Sequence, residues 1–160
     1  MSVLRDDADT IARLLRTFPA LLIVGPRQCG KSTLVKAVLP SWSHVDLERP
    51  ADLALIHADL EAFLTAHPTR LAIDEAQRLP TVFPALRHLI DRSPKKGRYV
   101  LTGSASPALM QSVSESLAGR IGIVELTPFT SHEVRDTRRL DDRWFWGGYP
   151  PALLHGTRRQ

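Results

Sequence analysis

Nine residues of this chain, Gly25 to Thr33 (GPRQCGKST), with the apolar run Leu21, Leu22, Ile23 and Val24 in front of them, leave few folds open. The stretch matches G-x-x-x-x-G-K-[ST], a loop that cradles phosphate. It has the context the pattern requires, a buried strand before and a helix-compatible run after. Background residue frequencies put a chance match in a chain this long at about one in a hundred or less. Each residue type answers a need of polyphosphate binding. Gly25 and Gly30 let the backbone turn so that successive N–H groups point inward, where a Cβ would obstruct the anion. A helix opening near Lys31 adds its positive N-terminal end. Lys31 is placed to reach the β- and γ-phosphates and Ser32 to offer a hydroxyl to Mg²⁺, while Thr33 supports the helix start. The expected nucleotide-binding set is therefore Gly25, Pro26, Arg27, Gln28, Cys29, Gly30, Lys31, Ser32 and Thr33. Arg27 can meet phosphate or a neighbouring acid. Cys29 is a small loop residue whose thiol would be reactive if exposed at the helix start, and alkylating it is expected to weaken ATP binding by intrusion.

The rest of the chain alternates strands and helices. Asp6 to Thr17 carries Ile11, Leu14, Leu15 and Phe18 at helical spacing, with acidic residues early and Arg13 and Arg16 late. Pro19 closes this helix, and Ala20 to Val24 is too apolar throughout to be a half-exposed strand. Lys31 to Leu39 reads as a crossover helix, Ser43 to Leu47 as a second strand, and Glu48-Arg49-Pro50 as a turn. Asp52 to Ala66 suits one helix or two short ones. Leu71, Ala72 and Ile73 form a third strand running into Asp74 and Glu75, with Arg70 as its exposed start. Phe83 to Arg92 is a helix, Ser93 to Gly97 a turn, and Arg98 to Leu101 a fourth strand running into Thr102-Gly103-Ser104. Ser106 to Val113 makes a short helix and Ile121 to Leu126 a fifth strand. Such alternation predicts an α/β fold, a parallel sheet with helices on both faces.

At 160 residues the chain holds one domain, divided in expectation into an N-terminal helix (1–19), a core (20–128) and a C-terminal segment (129–160). No apolar run is long enough for a membrane span, and no signal peptide is indicated. The single cysteine excludes an internal disulfide and fits a reducing, cytoplasmic setting. The formal charge of +4 is spread along the chain except at Arg138-Arg139 and Arg158-Arg159, a weak electrostatic case for nucleic acid. Beyond Pro128 the pattern fades into a charged segment and then Trp144, Phe145, Trp146, Gly147, Gly148, Tyr149, Pro150 and Pro151. An aromatic cluster there should fold back on the domain or meet a protein partner.

LAIDEAQ supplies what a phosphate loop lacks by itself, an acidic pair at the carboxyl end of a neighbouring strand. Asp74 is placed to hold Mg²⁺. Glu75 is the candidate base, since a carboxylate beside the metal acid can orient and polarise an attacking water, which favours hydrolysis. At the end of strand four, Thr102, Ser104 and Ser106 bring hydroxyls to the edge where nucleotides bind in open parallel sheets. One of them can sense the γ-phosphate or position the water; capping of the next helix is the alternative, strongest for Ser106.

The order GPRQCGKST, VDLERP, LAIDEAQ, YVLTGSASPALM, SESLAGRI, VELTPFTSHEV and WGGYP resembles the N-terminal ATPase domain of prokaryotic AAA-type ATPases paired with a C-terminal domain of unknown function (AAA_14 with DUF4143). The likeness runs over nearly the whole chain from Leu21. It implies a P-loop ATPase of the additional-strand class, with sheet order 5-1-4-3-2, and ATP and Mg²⁺ as ligands. Proteins of this kind carry a second domain after GGYP, so the chain resembles a truncated member or an isolated domain. The resemblance also implies work as rings or dimers, and it makes Arg120, in LAGR, the candidate for charge stabilisation near the γ-phosphate, a role worth roughly 10³ to 10⁵ in rate in other systems. A structural ion pair is the alternative for Arg120. A helicase, suggested by the letters DEAQ, would need two lobes. A small-molecule kinase would want an arginine-rich lid, and between residues 106 and 126 Arg120 stands alone. A nucleotide-held switch with little turnover is the alternative to an ATPase.

Overall fold

A computed structural model describes residues 5–135 and 147–155. Its centre is β1 (Ala20–Gly25), buried at every position. The reason is the two-residue period of a strand with a covered surface on each side. Ala20, Leu22 and Val24 join one apolar core; Leu21 and Ile23 join another with Ile11, Leu34 and Val35. The first core takes its far wall from α5 (Val82–Arg92) and α6 (Pro107–Leu117), through Phe83, Leu86, Ile90, Leu109 and Val113. The second is closed by α1 (Asp7–Thr17) and α2 (Lys31–Val38). Burying a leucine or isoleucine in this way contributes about 1.5–3 kcal/mol each, so this one strand anchors both layers.

The other strands are β2 (Ser43–Asp46), β3 (Leu71–Asp74), β4 (Tyr99–Ser104) and β5 (Ile121–Glu125). Among the described residues they form one five-stranded sheet in the order β2-β3-β4-β1-β5, with every pairing parallel. This is the expected order, with β4 inserted between the loop strand and the acidic strand. Because all strands run the same way, Gly25, Asp46, Asp74 and Ser104 emerge at a single edge. No described helix is long and apolar enough to cross a membrane.

Local chemistry explains the departures from expectation. Pro50 is not in a turn but opens α3 (Pro50–Ala58), where its missing N–H is no loss. The run 52–66 breaks in two because Asp59 accepts a hydrogen bond from the Ala62 amide at 2.9 Å and so starts α4 (Leu60–Ala66). Helix α6 runs past Val113 to Leu117, which is fully buried, and Ser106 caps it through the Leu109 amide at 3.3 Å. Arg98 stays outside β4. Its guanidinium is buried and meets the carbonyls of Pro68, Leu89 and Ser93 and the hydroxyl of Tyr99, the partners that a buried cation needs. Arg70 also lies outside its strand, exposed and in a left-handed conformation, φ +56°.

Candidate functional site

The loop between β1 and α2 wraps an open cleft of about 410 Å³, lined by Arg27, Gln28, Gly30, Lys31, Ser32 and Thr33 together with Glu48, Glu75, Pro150 and Pro151. Two backbone features hold its shape. Gly30 caps α2 at φ +98°, which a residue with a Cβ rarely adopts, and Gln28 sits at φ +61°. Gly25 serves a different end from the one expected. A Cβ there would come within 2.2 Å of the Leu126 carbonyl oxygen, so the residue lets the loop start pass the end of β5. The N-terminus of α2 has no side-chain cap and no acid in its first turn. Its free amides and positive dipole end suit an anion.

Lys31 is 5% exposed, and its ammonium donates to the carbonyls of Gly25 at 3.1 Å and Pro26 at 2.9 Å. Neutral carbonyls hold it without an opposing charge, so an arriving phosphate displaces no ion pair. Arg27 meets an acid rather than lying free: Nη2 is 2.7 Å from Glu48 Oε1, and Arg78 approaches the same oxygen at 3.7 Å. Both partners of the closer pair are well exposed, which makes it weak and exchangeable. Cys29 corrects an expectation. Its side chain is fully buried in the core under α2, so the thiol of the folded chain offers no surface to an alkylating reagent.

Strand register assembles the acidic half. Ile73 pairs with Leu101 and Ile23 with Thr102, so Asp74 and Thr102 fall side by side next to the loop strand. The Thr102 hydroxyl donates to Asp74 Oδ1 and accepts from the Glu75 amide at 3.3 Å. It is 2% exposed, and its hydroxyl is engaged by the acidic pair. Ser104 stands level with Gly25 at the end of β4, half-buried. Asp74 lines a recess of about 100 Å³ with Asp46, Asp52, Lys36 and Thr102, and this recess shares Ser32 with the cleft. Glu75 turns in a left-handed conformation, φ +54°, into the cleft itself.

Arg120 lies elsewhere. It precedes β5, and its carbonyl accepts from the Ala20 amide at the start of β1, whereas the loop follows the end of that strand. The rise of a strand puts roughly 16 Å between those two levels. Its guanidinium grips Asp91 through Nε at 2.6 Å and Nη2 at 3.1 Å. The arginine therefore does not serve the loop of its own chain, and the ion-pair alternative describes its surroundings.

Two contributors were not foreseen. Gln77 donates to Glu75 from a single 3₁₀ turn, Ala76–Arg78. Arg5 reaches the Cys29 carbonyl at 3.4 Å and the Thr127 carbonyl at 2.6 Å, and pairs with Glu133 at 3.0 Å. No periodicity marks a lone arginine before a helix, so sequence offered no signal for it. The GGYPP stretch takes one of the two courses expected of the aromatic cluster and folds back: the Gly148 carbonyl accepts from the Phe129 amide at 2.7 Å, and Leu153 of α7 (Pro150–His155) is fully buried. Trp144, Phe145, Trp146 and the two arginine pairs lie outside the described residues.

With this geometry in place, the likeness to known proteins is specific. The profile of the AAA_14 family, an AAA domain, matches residues 17–135. The chain belongs to the AAA_14 family. Two curated relatives, the uncharacterized proteins Rv2008c of Mycobacterium tuberculosis and Mb2031c of Mycobacterium bovis, are each 42% identical over 151 residues. The match takes in 93% of this AAA_14 chain but only 34% of each relative, so the chain spans about a third of their length. Among solved structures, the Walker-type ATPase PABY2304 of Pyrococcus abyssi superposes with a TM-score of 0.65 at 17% identity, over 95% of this chain and 65% of that one. DnaA of Aquifex aeolicus bound to AMPPCP gives 0.61 at 14% identity, over 92% and 56%. At such identities the likeness speaks for the fold, that of P-loop ATPases.

Proposed function

We propose that this AAA_14 domain binds ATP with Mg²⁺ and hydrolyses it, and that the cycle moves an attached domain or partner. One observation carries the proposal: Lys31, Ser32 and Glu75 line the same cleft, and Asp74 lines the recess that shares Ser32 with it. The α2 amides and Lys31 hold the β- and γ-phosphates, with Gly25, Pro26, Arg27, Gln28, Cys29, Gly30 and Thr33 shaping the loop around them. The attacking water bonds to the γ-phosphorus as the β–γ bridging oxygen leaves with the electron pair, and Glu75 takes the water's proton. Thr102 keeps Asp74 and the Glu75 amide in place. Ser104, level with Gly25, is the hydroxyl left to meet the γ-phosphate or the water.

The donor set fits magnesium. A serine hydroxyl and a carboxylate are hard oxygen ligands, and Mg²⁺ binds through one or two of these plus phosphate and water. Among the described residues no group of three or more His, Cys, Asp or Glu forms a cage for a metal. Ser32 and Asp74 would hold the ion, which when bound neutralises charge on the phosphates. Charge stabilisation by Arg120 requires a second copy that sets its β5 edge against the first copy's loop.

Calorimetry with Mg-ATP and single-turnover hydrolysis test this. Glu75→Gln should keep binding and lose at least a hundredfold in hydrolysis, in line with the worth of a general base. Retained hydrolysis in that variant would remove Glu75 as base, and uptake untouched by Lys31→Ala would remove the site. A nucleotide-held switch is the second reading. It is favoured by Pro150 and Pro151, which set α7 against the cleft wall. Tight binding with no phosphate release would decide for it.

A further inference from the structure

The turn that carries Glu75 out of β3 is braced by a residue with no role assigned above. Glu75 has a left-handed backbone and Ala76–Arg78 coils directly behind it, which brings Gln77 back alongside the carboxylate. Gln77 Nε2 donates to Glu75 Oε2. The other end of the amide, Oε1, is buried with no hydrogen-bond partner. It lies beside Gly103 of β4, where an added Cβ would fall within 2.6 Å of that oxygen and 2.6 Å of Leu109 Cδ2. The slot exists because position 103 has no side chain.

An unpaired buried amide oxygen costs stability. Turning the amide over would set that oxygen against the Glu75 carboxylate and remove the only donor that reaches it from this side chain, so the charge on Glu75 dictates the orientation. A core built for stability alone would place an apolar side chain in the slot. We propose that Gln77 is a positioning residue for hydrolysis: it fixes one carboxylate oxygen of Glu75 and leaves the other to the cleft that Glu75 shares with Lys31 and Ser32. The inference rests on Glu75 serving as the base.

The test measures single-turnover hydrolysis, Mg-ATP binding and thermal midpoint on the full chain. Gln77→Leu keeps similar bulk and removes the donor. It should lower the rate of the chemical step roughly ten- to a hundredfold, the effect of a small misplacement, with the Kd for Mg-ATP unchanged within about twofold. Its thermal midpoint should equal or exceed that of the parent chain, because the stranded oxygen is gone. Gln77→Asn, one methylene short of Glu75, should show the same kinetic loss. On a Glu75→Gln background, Gln77→Leu should cause no further loss, as expected of two groups acting as a unit. A parent-like rate in Gln77→Leu overturns the positioning role and leaves the ATPase proposal standing. Rate, affinity and midpoint falling together would make Gln77 a packing residue. A parent chain that binds Mg-ATP and never releases phosphate sinks the hydrolysis proposal and this inference with it.

Discussion

The guanidinium of Arg120 hydrogen-bonds Asp91 through two nitrogens, and these bonds hold the Asp91 carboxyl below its ordinary range, against a smaller opposing effect of desolvation. The same pairing raises Arg120 above its ordinary value. A depressed carboxylate contributes stability that is present above its unfolded value, near 4, and is lost as pH falls through the lowered folded value. Both groups face water, so the contribution to stability is small. Arg120→Ala should let the Asp91 carboxyl titrate back up toward the ordinary range, followed by its side-chain carbon resonance. An unmoved midpoint would show that the pair does not form in solution. At this scale the loop itself was legible from its letters: GPRQCGKST follows a buried strand and opens a helix, as read from the sequence. The neighbours of each residue were not. Arg120 and Cys29 sit in telling motifs, yet one lies at the far edge of the sheet and the other under α2, facts that depend on contacts made by distant parts of the chain.

Among the elements, β1 shows where patterning speaks clearly. Five consecutive apolar residues closed by glycine are explained by two cores, and alternate residues serve each. Leu22→Ala should therefore cost about 2–5 kcal/mol in urea unfolding, because the cavity opens among side chains from several elements. Ile123→Ala on the edge strand β5, where the side chain is 45% exposed, should change stability by about 0.5 kcal/mol or less. Equal losses at the two positions would contradict the layered arrangement. Helix existence was read correctly wherever apolar spacing persisted, as in α1 and α5. Boundaries depend on single residues: Asp59 decides for the two-helix alternative in the run 52–66, and Pro50 begins a helix in a stretch that resembles a turn. The 3₁₀ turn after Glu75 is too short to leave any periodicity.

For the molecule as a whole, the alternation of strands and helices made the parallel sheet legible, and the family resemblance supplied its order. Parallel pairing then accounts for the gathering of Gly25, Asp74 and Ser104 at one edge. The aromatic cluster left two courses open after β5, and the chain takes the one that folds back: contacts of Arg5 with Thr127 and Glu133 and of Phe129 with Gly148 hold it, and α7 lies beside the loop. If nucleotide and α7 communicate, amide hydrogen exchange in residues 147–155 should slow when Mg-ATP binds and recover when it is removed. Identical exchange with and without nucleotide would remove the coupling. Pro150 and Pro151 themselves bring no amide hydrogen to the cleft, so the wall they form is mute toward phosphate oxygens. What the two rings offer a ligand is steric contact, so any response of α7 to nucleotide would begin with the cleft being filled.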